Sequence, residues 1–249
     1  MQAKADEGGQ RVALVIPALN EEAALPALAA NLAALSPPPD EIILVDGGSI
    51  DRTVAIAREA SWRAVIGPRG RGAQINRGVR EATSAIICVV HADTHLPHDA
   101  VAVIRAAMAN PRLALASFMP RFVGPQGTRW GSTFNNWAKT WYVPLLLRPR
   151  LFLRGVRLLF GDHAMIFRRA QFLATGGCDE TVAVLEEVEL CVRLSRFGRT
   201  RILPRFVRTS DRRIRHLGRW RANWAYLKVG YLWLRGERAG LASHYPDIR

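Results

Sequence analysis

Within the first 90 residues, strand-like and helix-like runs alternate with connections of only a few residues. The apolar runs at 12–16, 42–45, 64–66 and 85–90 are continuous, as strands buried on both faces of a parallel sheet are. Alanine- and leucine-rich or amphipathic stretches at 20–35, 53–60 and 73–82 separate them. Short links of this kind between strand and helix predict βαβ units and an α/β fold with a doubly wound, mostly parallel sheet flanked by helices. Ligands of such sheets sit outside the carboxyl ends of the strands, so the residues just past each apolar run are the first place to look for chemistry.

Three of the four runs end in clusters of Asp, Asn, Glu, Gly or His. The first ends in Pro17-Ala18-Leu19-Asn20-Glu21-Glu22, the second in Asp46-Gly47-Gly48-Ser49-Ile50-Asp51-Arg52-Thr53, and the fourth in His91-Ala92-Asp93-Thr94-His95. An extended Pro-Ala backbone offers groups to a planar base, and a nearby carboxylate can accept from a ribose hydroxyl. An acid-rich helix start explains the same residues equally well. Asp46 could accept the N3–H of a uracil ring, with glycines that allow close approach; a glycine turn before an Asp cap is the alternative. Asp93 between two histidines suits a divalent cation, or the turn before a helix near His98. Gly70-Arg71-Gly72-Ala73-Gln74 opens a helix whose N–H groups and Arg71 suit a diphosphate. It carries neither the Walker A lysine nor the spaced glycines of a dinucleotide fingerprint. Glu186-Glu187-Val188-Glu189 gathers three carboxylates in one turn, an arrangement that suits a general base and also ordinary charge layout on a helix ending in arginines.

The charge is unevenly spread. Residues 1–100 carry 9 Lys+Arg against 12 Asp+Glu, and residues 101–249 carry 26 against 9. The net of +14 therefore resides in the second half, which could face nucleic acid, an anionic membrane surface or a phosphorylated substrate. Residues 218–234 interleave Trp220, Trp224, Tyr226, Tyr231 and Trp233 with arginines, as interfacial helices do, and as a helix that packs its aromatics on the sheet and solvates its arginines does equally. Cys88, Cys178 and Cys191 have no paired spacing and read as buried thiols. The polar first ten residues predict no secretory leader, and no apolar run reaches the ~18 residues of a spanning helix.

Taken in order, the clusters resemble the family-2 glycosyltransferases over most of residues 11–200. That family has a strand ending P-x-x-N-E, a D-D-G-S-x-D-x-T segment, a strand ending D-x-D, and a later E-D pair. The GRGAQ and HADT segments with the basic, aromatic C-terminal stretch look closest to a compact bacterial subgroup of radical-SAM/selenodomain-associated transferases. The resemblance implies a GT-A (Rossmann-like) fold and an inverting, metal-dependent transfer from a nucleotide-sugar donor, a UDP-sugar, to a hydroxyl acceptor of unknown identity. Pro17, Ala18, Glu21 and Asp46 would hold the uridine, with Gly47 and His91 in the donor site. Arg71 and Gln74 would lie near the diphosphate or sugar. Asp93 would ligate Mg²⁺ or Mn²⁺, Glu187 with Glu186 would take the catalytic position, and Asp162 would orient the acceptor. Gly47 stands for the family's second Asp, His91 for the first Asp of D-x-D, and Glu187 for the catalytic Asp.

The expected organisation is a loose tail at 1–10, a transferase domain at 11–210 (a nucleotide-binding half to 118 and an acceptor half from 119) and a basic aromatic helical segment at 211–249. The expected location is cytoplasmic, with peripheral membrane contact through the basic C-terminal half and no specific nucleic-acid partner. The rival classes are a non-catalytic or nucleotidyl-transferring relative and a basic nucleic-acid-binding protein.

Overall fold

The computed structural model describes residues 11–160, 163–180 and 186–212. The expected tail at 1–10, the acceptor residue Asp162 and the C-terminal segment from 213 lie outside the described residues.

The chain builds β1 (Val12–Ala18), α1 (Leu25–Ala33), β2 (Glu41–Asp46), α2 (Thr53–Glu59), β3 (Arg63–Ile66), α3 (Arg71–Glu81) and β4 (Ile86–Val89). It continues through β5 (Thr94–His95), α4 (Ala100–Met108), β6 (Leu113–Gly124), β7 (Gly127–Thr128), α5 (Trp130–Leu147) and α6 (Pro149–Leu153). It closes with β8 (Met165–Arg168), α7 (Arg169–Ala174), α8 (Glu186–Leu194) and β9 (Arg199–Ser210). One sheet runs β3-β2-β1-β4-β8-β6-β9-β5, with β7 paired to the end of β6.

The sheet is mixed, which corrects the expectation of a mostly parallel one. β3, β2, β1 and β4 are parallel neighbours, but β8 lies antiparallel between β4 and β6. β9 then runs parallel to β6, and β5 pairs antiparallel with its end. The physical reason lies in the connections. The first four strands are linked by one-helix crossovers, which force parallel pairing. After β6 the chain makes the long α5–α6 excursion and re-enters beside β4 from the opposite end. β6 passes unbroken through residue 118, so the nucleotide-side and acceptor-side halves share a strand.

Both faces of the sheet are covered, which is why β1 is apolar at every position. Val12, Leu14 and Ile16 join Leu25, Leu28 and Leu32 of α1 and Val101 and Ile104 of α4 in one core. Ala13 and Val15 face the other way, onto Ile75 and Val79 of α3 and Val188, Leu190 and Leu194 of α8. Each fully buried leucine contributes about 1.5–3 kcal/mol relative to an exposed one. α3 lies so close to β1 that a Cβ at Gly78 would come 2.3 Å from Val15 Cγ1. The three cysteines are free and buried, as expected. Burial pushes the Cys191 thiol up to about 12 and Cys88 beyond the usual thiol range, so both are inert.

β1 does not stop at Pro17. The last β1–β4 pair is Val15 with Val89, and beyond it Pro17 and Ala18 pair only with β2. The missing proline N–H therefore removes no bond from the β4 side. Among the described residues no helix is long and apolar enough to cross a membrane.

Candidate active site

Because β2, β1 and β4 are adjacent and parallel, their carboxyl ends bring Asp46, Pro17-Ala18 and His91–Asp93 to one edge of the sheet. The first two clusters are fastened to each other. Asn20, at a φ of 54°, donates its N–H to Ser49 Oγ at 2.8 Å and accepts the Ile50 N–H on Oδ1 at 3.0 Å. The Glu21 N–H donates to Thr53 Oγ1 at 2.8 Å. Glu22 donates its N–H to Asp51 and accepts the Arg52 N–H. Asn20, Ser49, Asp51 and Thr53 thus form a buckle between two loops rather than contacts for a ligand. These engagements also delay α1, which starts at Leu25 instead of near Asn20.

Asp46 is buried at the end of β2 and accepts the Gly48 and Ser49 N–H groups at 3.0 Å. Two such bonds leave lone pairs on the carboxylate for one further donor. Gln74 is also buried, and its amide nitrogen donates to the Ala18 carbonyl at 2.6 Å and the Val45 carbonyl at 2.9 Å. It acts as a strut across the ends of β1 and β2. A Cβ at Gly47 would lie 2.9 Å from that same nitrogen. The glycine in place of an acidic residue at 47 therefore leaves room for the Gln74 amide.

Arg71 and Glu187 lie at the opening turns of α3 and α8, and Arg71 Nη1 donates to Glu187 Oε1 at 3.1 Å. The Glu187 side chain is 3% exposed and that of Arg71 22%. A carboxylate this deep needs a cation or donors beside it, since burying it alone would be costly. α3 also holds the approach to α8. Asn76 donates to the Cys178 carbonyl at 2.9 Å and to Glu180 Oε1 at 2.8 Å, while its own oxygen accepts the Cys178 N–H at 2.8 Å. One helix thus ties the strand ends, through Gln74, to Glu187, through Arg71, and to Cys178 and Glu180, through Asn76. Glu186 begins α8, and its side chain lies outside the described residues.

Asp93 is half-buried in the turn after β4, beside the buried His91. It does not cap α4, whose N-cap position is Asp99. The segment packs on β9 through the pair Thr94–Thr209. Burial and the neighbouring Arg208 lower the His95 pKa, which keeps that imidazole neutral near pH 7. Among the described residues no three His, Cys, Asp or Glu side chains cluster as a metal cage. Mg²⁺ and Mn²⁺ sites served by substrate phosphates need only one or two carboxylates, a requirement that Asp93 fits.

Three features carry no signal in the sequence. Arg212, after β9, reaches Glu21 at 3.4 Å across 191 residues. Arg129 pairs with the wholly buried Asp211, whose carboxylate fills the space beside Gly124. His163 is wholly buried: Asn136 Nδ2 lies 3.2 Å from its Nε2 and Ser117 Oγ 2.9 Å from its Nδ1. An amide nitrogen can only donate, which puts the ring proton on Nδ1, toward Ser117. Burial lowers the His163 pKa to about 4, against a smaller opposing effect of the Phe118 carbonyl.

Polar clusters at the carboxyl ends of parallel strands, glycine loops and an ion-paired buried carboxylate are what an α/β nucleotide-binding enzyme presents. The comparisons agree. Residues 13–173 match the model of glycosyl transferase family 2, and the chain belongs to that family. An uncharacterised glycosyltransferase of Mycobacterium tuberculosis is 40% identical over 86 residues, covering 34% of this chain and 38% of that protein. Beta-monoglucosyldiacylglycerol synthase of Synechocystis is 26% identical over 195 residues, covering 74% of this chain and 40% of that one. The chain thus aligns with less than half the length of these relatives. Among solved structures, a mannosyltransferase of Pyrobaculum calidifontis with GDP-mannose and Mn²⁺ superposes with a TM-score of 0.64 at 20% identity, covering 89% of this chain and 63% of that one. Glucosyl-3-phosphoglycerate synthase of M. tuberculosis, with Mn²⁺, UDP and glucosyl-3-phosphoglycerate, gives 0.60 at 19% identity over 92% of this chain and 81% of that one. The fold is GT-A-like, and the matched region places the chain among the family-2 glycosyltransferases.

Proposed function

We propose that this protein is an inverting transferase that moves a sugar from a UDP-sugar to a hydroxyl acceptor, with Glu187 as the base. The observation that carries the reading is the Arg71–Glu187 pair beside the strand ends. It sets a buried carboxylate next to a guanidinium that could also meet a donor diphosphate. Pro17, Ala18, Glu21 and Asp46 hold the uridine, Gly47 and His91 shape the donor site, and Gln74 braces its floor from behind. Asp93 would hold a divalent cation, which would neutralise charge on the leaving diphosphate; the GDP-mannose and UDP complexes of the structural neighbours both contain Mn²⁺.

In the transfer, the acceptor O–H gives its proton to Glu187 as the oxygen bonds to the anomeric carbon. The anomeric C–O bond breaks on the opposite face, and its electron pair leaves with the nucleoside diphosphate. A positioned base is worth ~10²–10⁴-fold in rate. Asp162 next to His163 is the acceptor-side candidate. Placement in the radical-SAM/selenodomain-associated subgroup rests on the GRGAQ, HADT and GDHA segments and the basic aromatic C-terminal stretch.

The test is a thermal-shift panel of UDP, GDP and CMP, each with and without Mn²⁺, on wild type and Asp93→Ala. A ligand at one hundred times its dissociation constant stabilises by about 2.7 kcal/mol, which is easily read. A Mn²⁺-dependent shift with UDP that Asp93→Ala loses supports the reading. A preference for GDP corrects the donor, and no shift with any nucleotide overturns the transferase reading.

A further inference from the structure

α5 is built inside out. Its buried residues are Thr133, Thr140 and Pro144, while Trp130, Phe134, Trp137, Trp141, Leu145 and Leu146 stand exposed. A helix that serves a protein core does the reverse. The inward polar face has partners: Thr133 accepts the Phe122 N–H, and Asn136 meets His163. The outward residues 130, 134, 137, 141 and 145 fall on one stripe at helical spacing. Neighbouring rings along it are in contact, at 5.5 Å for Phe134–Trp137 and 6.2 Å for Trp137–Trp141. Arg157 lies over both Trp141 and Phe152, 4.5 and 4.1 Å from the ring centroids, which joins α6 to the same face. Leu146 is 71% exposed and Leu153, on α6, 82%.

The segment that carries this face has charge of one sign. Residues 121–160 contain seven Lys or Arg and no Asp or Glu, and Arg150 and Arg154 are exposed on and beside α6. An apolar patch of this size marks a contact surface. Its composition selects among contacts. Nucleic acid would use the arginines and rings but gives nothing to exposed leucines. A second copy in a two-fold contact would set this cation-rich patch against itself. A bilayer with anionic headgroups satisfies every part: rings at the interface, leucines among the acyl chains, and guanidinium groups on the phosphates.

We propose that the outer face of α5 and α6 is a docking surface for an anionic lipid bilayer. It is distinct from the 218–234 stretch, and its residues lie outside the donor site. The test is co-sedimentation of the full chain with phosphatidylcholine vesicles, with and without phosphatidylglycerol, for wild type, Leu145→Glu/Leu153→Glu and Arg150→Gln/Arg154→Gln. All four positions are exposed, and retained UDP/Mn²⁺ thermal shifts, or a matched circular-dichroism melt if wild type shows none, verify folding. The expected result is binding that requires phosphatidylglycerol and weakens about tenfold or more in each double variant. Any of three results overturns the proposal. One is no binding to phosphatidylglycerol vesicles. A second is equal binding by the leucine variant, which places membrane contact elsewhere in the chain. A third is a lipid-free dimer by light scattering that the leucine variant dissolves. Salt-sensitive oligonucleotide binding lost only in the arginine variant, without vesicle binding, would assign the face to nucleic acid.

Discussion

Arg71 and Glu187 are 116 residues apart in the chain and 3.1 Å apart in space, and they join the helix after the glycine-rich link to the helix carrying the candidate base. Arg71→Ala removes the guanidinium from a deeply buried carboxylate. A wholly buried pair would lose more, but Arg71 is partly solvated, so the expected loss is about 1–3 kcal/mol. Glu187→Gln, which removes the charge that needed the partner, should cost less. Urea unfolding of both single variants and the double variant should give a coupling of about 0.5–3 kcal/mol. A coupling of zero would mean that the pair does not hold in solution.

Gln74→Ala should destabilise by about 1–3 kcal/mol, because the Ala18 and Val45 carbonyls lose a buried donor. The same variant should weaken nucleotide binding, since the strut spaces the two strand ends that line the donor site. Denaturant midpoints and the UDP thermal shift read the two effects separately. Full nucleotide affinity with lost stability would confine Gln74 to a scaffold role.

His163 makes stability depend on pH in a stated direction. Its pKa is about 4 folded, against 6.5 for the free side chain. Between those values the unfolded chain binds a proton that the native one refuses, so stability falls as pH falls from about 6.5 toward 4. The slope is about 1.4 kcal/mol per pH unit from this group. Unfolding curves of wild type and His163→Gln across that window should differ by this slope. Parallel curves would show that the native imidazole takes up the proton.

Gly78→Ala sets two effects against each other. Alanine gains about 1 kcal/mol of helix propensity. The new methyl group would, however, sit 2.3 Å from Val15 Cγ1 and 3.0 Å from Val45 Cγ2. Overpacking of this kind costs about 1–3 kcal/mol, and at 2.3 Å it should prevail. A lowered melting temperature is expected; an unchanged or raised one would show that α3 can step away from the sheet.

The strand ends were legible because each is a local event. An apolar run of buried strand length stops, and Asp46 or His91–Asp93 follows at once. The helices at 53–60, 73–82 and after Val101 were legible for the same reason. Strand direction was not, because the apolar residues 164–167 read the same whichever way the strand runs beside β4. The start of α1 was misplaced because Asn20-Glu21-Glu22 has the composition of a helix opening, while the backbone groups that would begin that helix are held by Ser49, Asp51 and Thr53. Glu187 was singled out as an acid at a helix start, but its partner Arg71 lies on another element. Pairing across 116 residues leaves no local pattern. The outward aromatics of α5 were not legible, since Trp and Phe at helical spacing suit a core-facing helix equally well.

The buckle between the first two loops makes them one unit. Asn20, Glu21 and Glu22 on one side and Ser49, Asp51 and Thr53 on the other satisfy each other's backbone and side-chain groups. A change on either side deprives the other of a partner. Each bond joins a side-chain oxygen of one loop to a backbone N–H of the other, so Asn20, Glu22, Ser49, Asp51 and Thr53 must each keep an acceptor whatever side chain stands opposite.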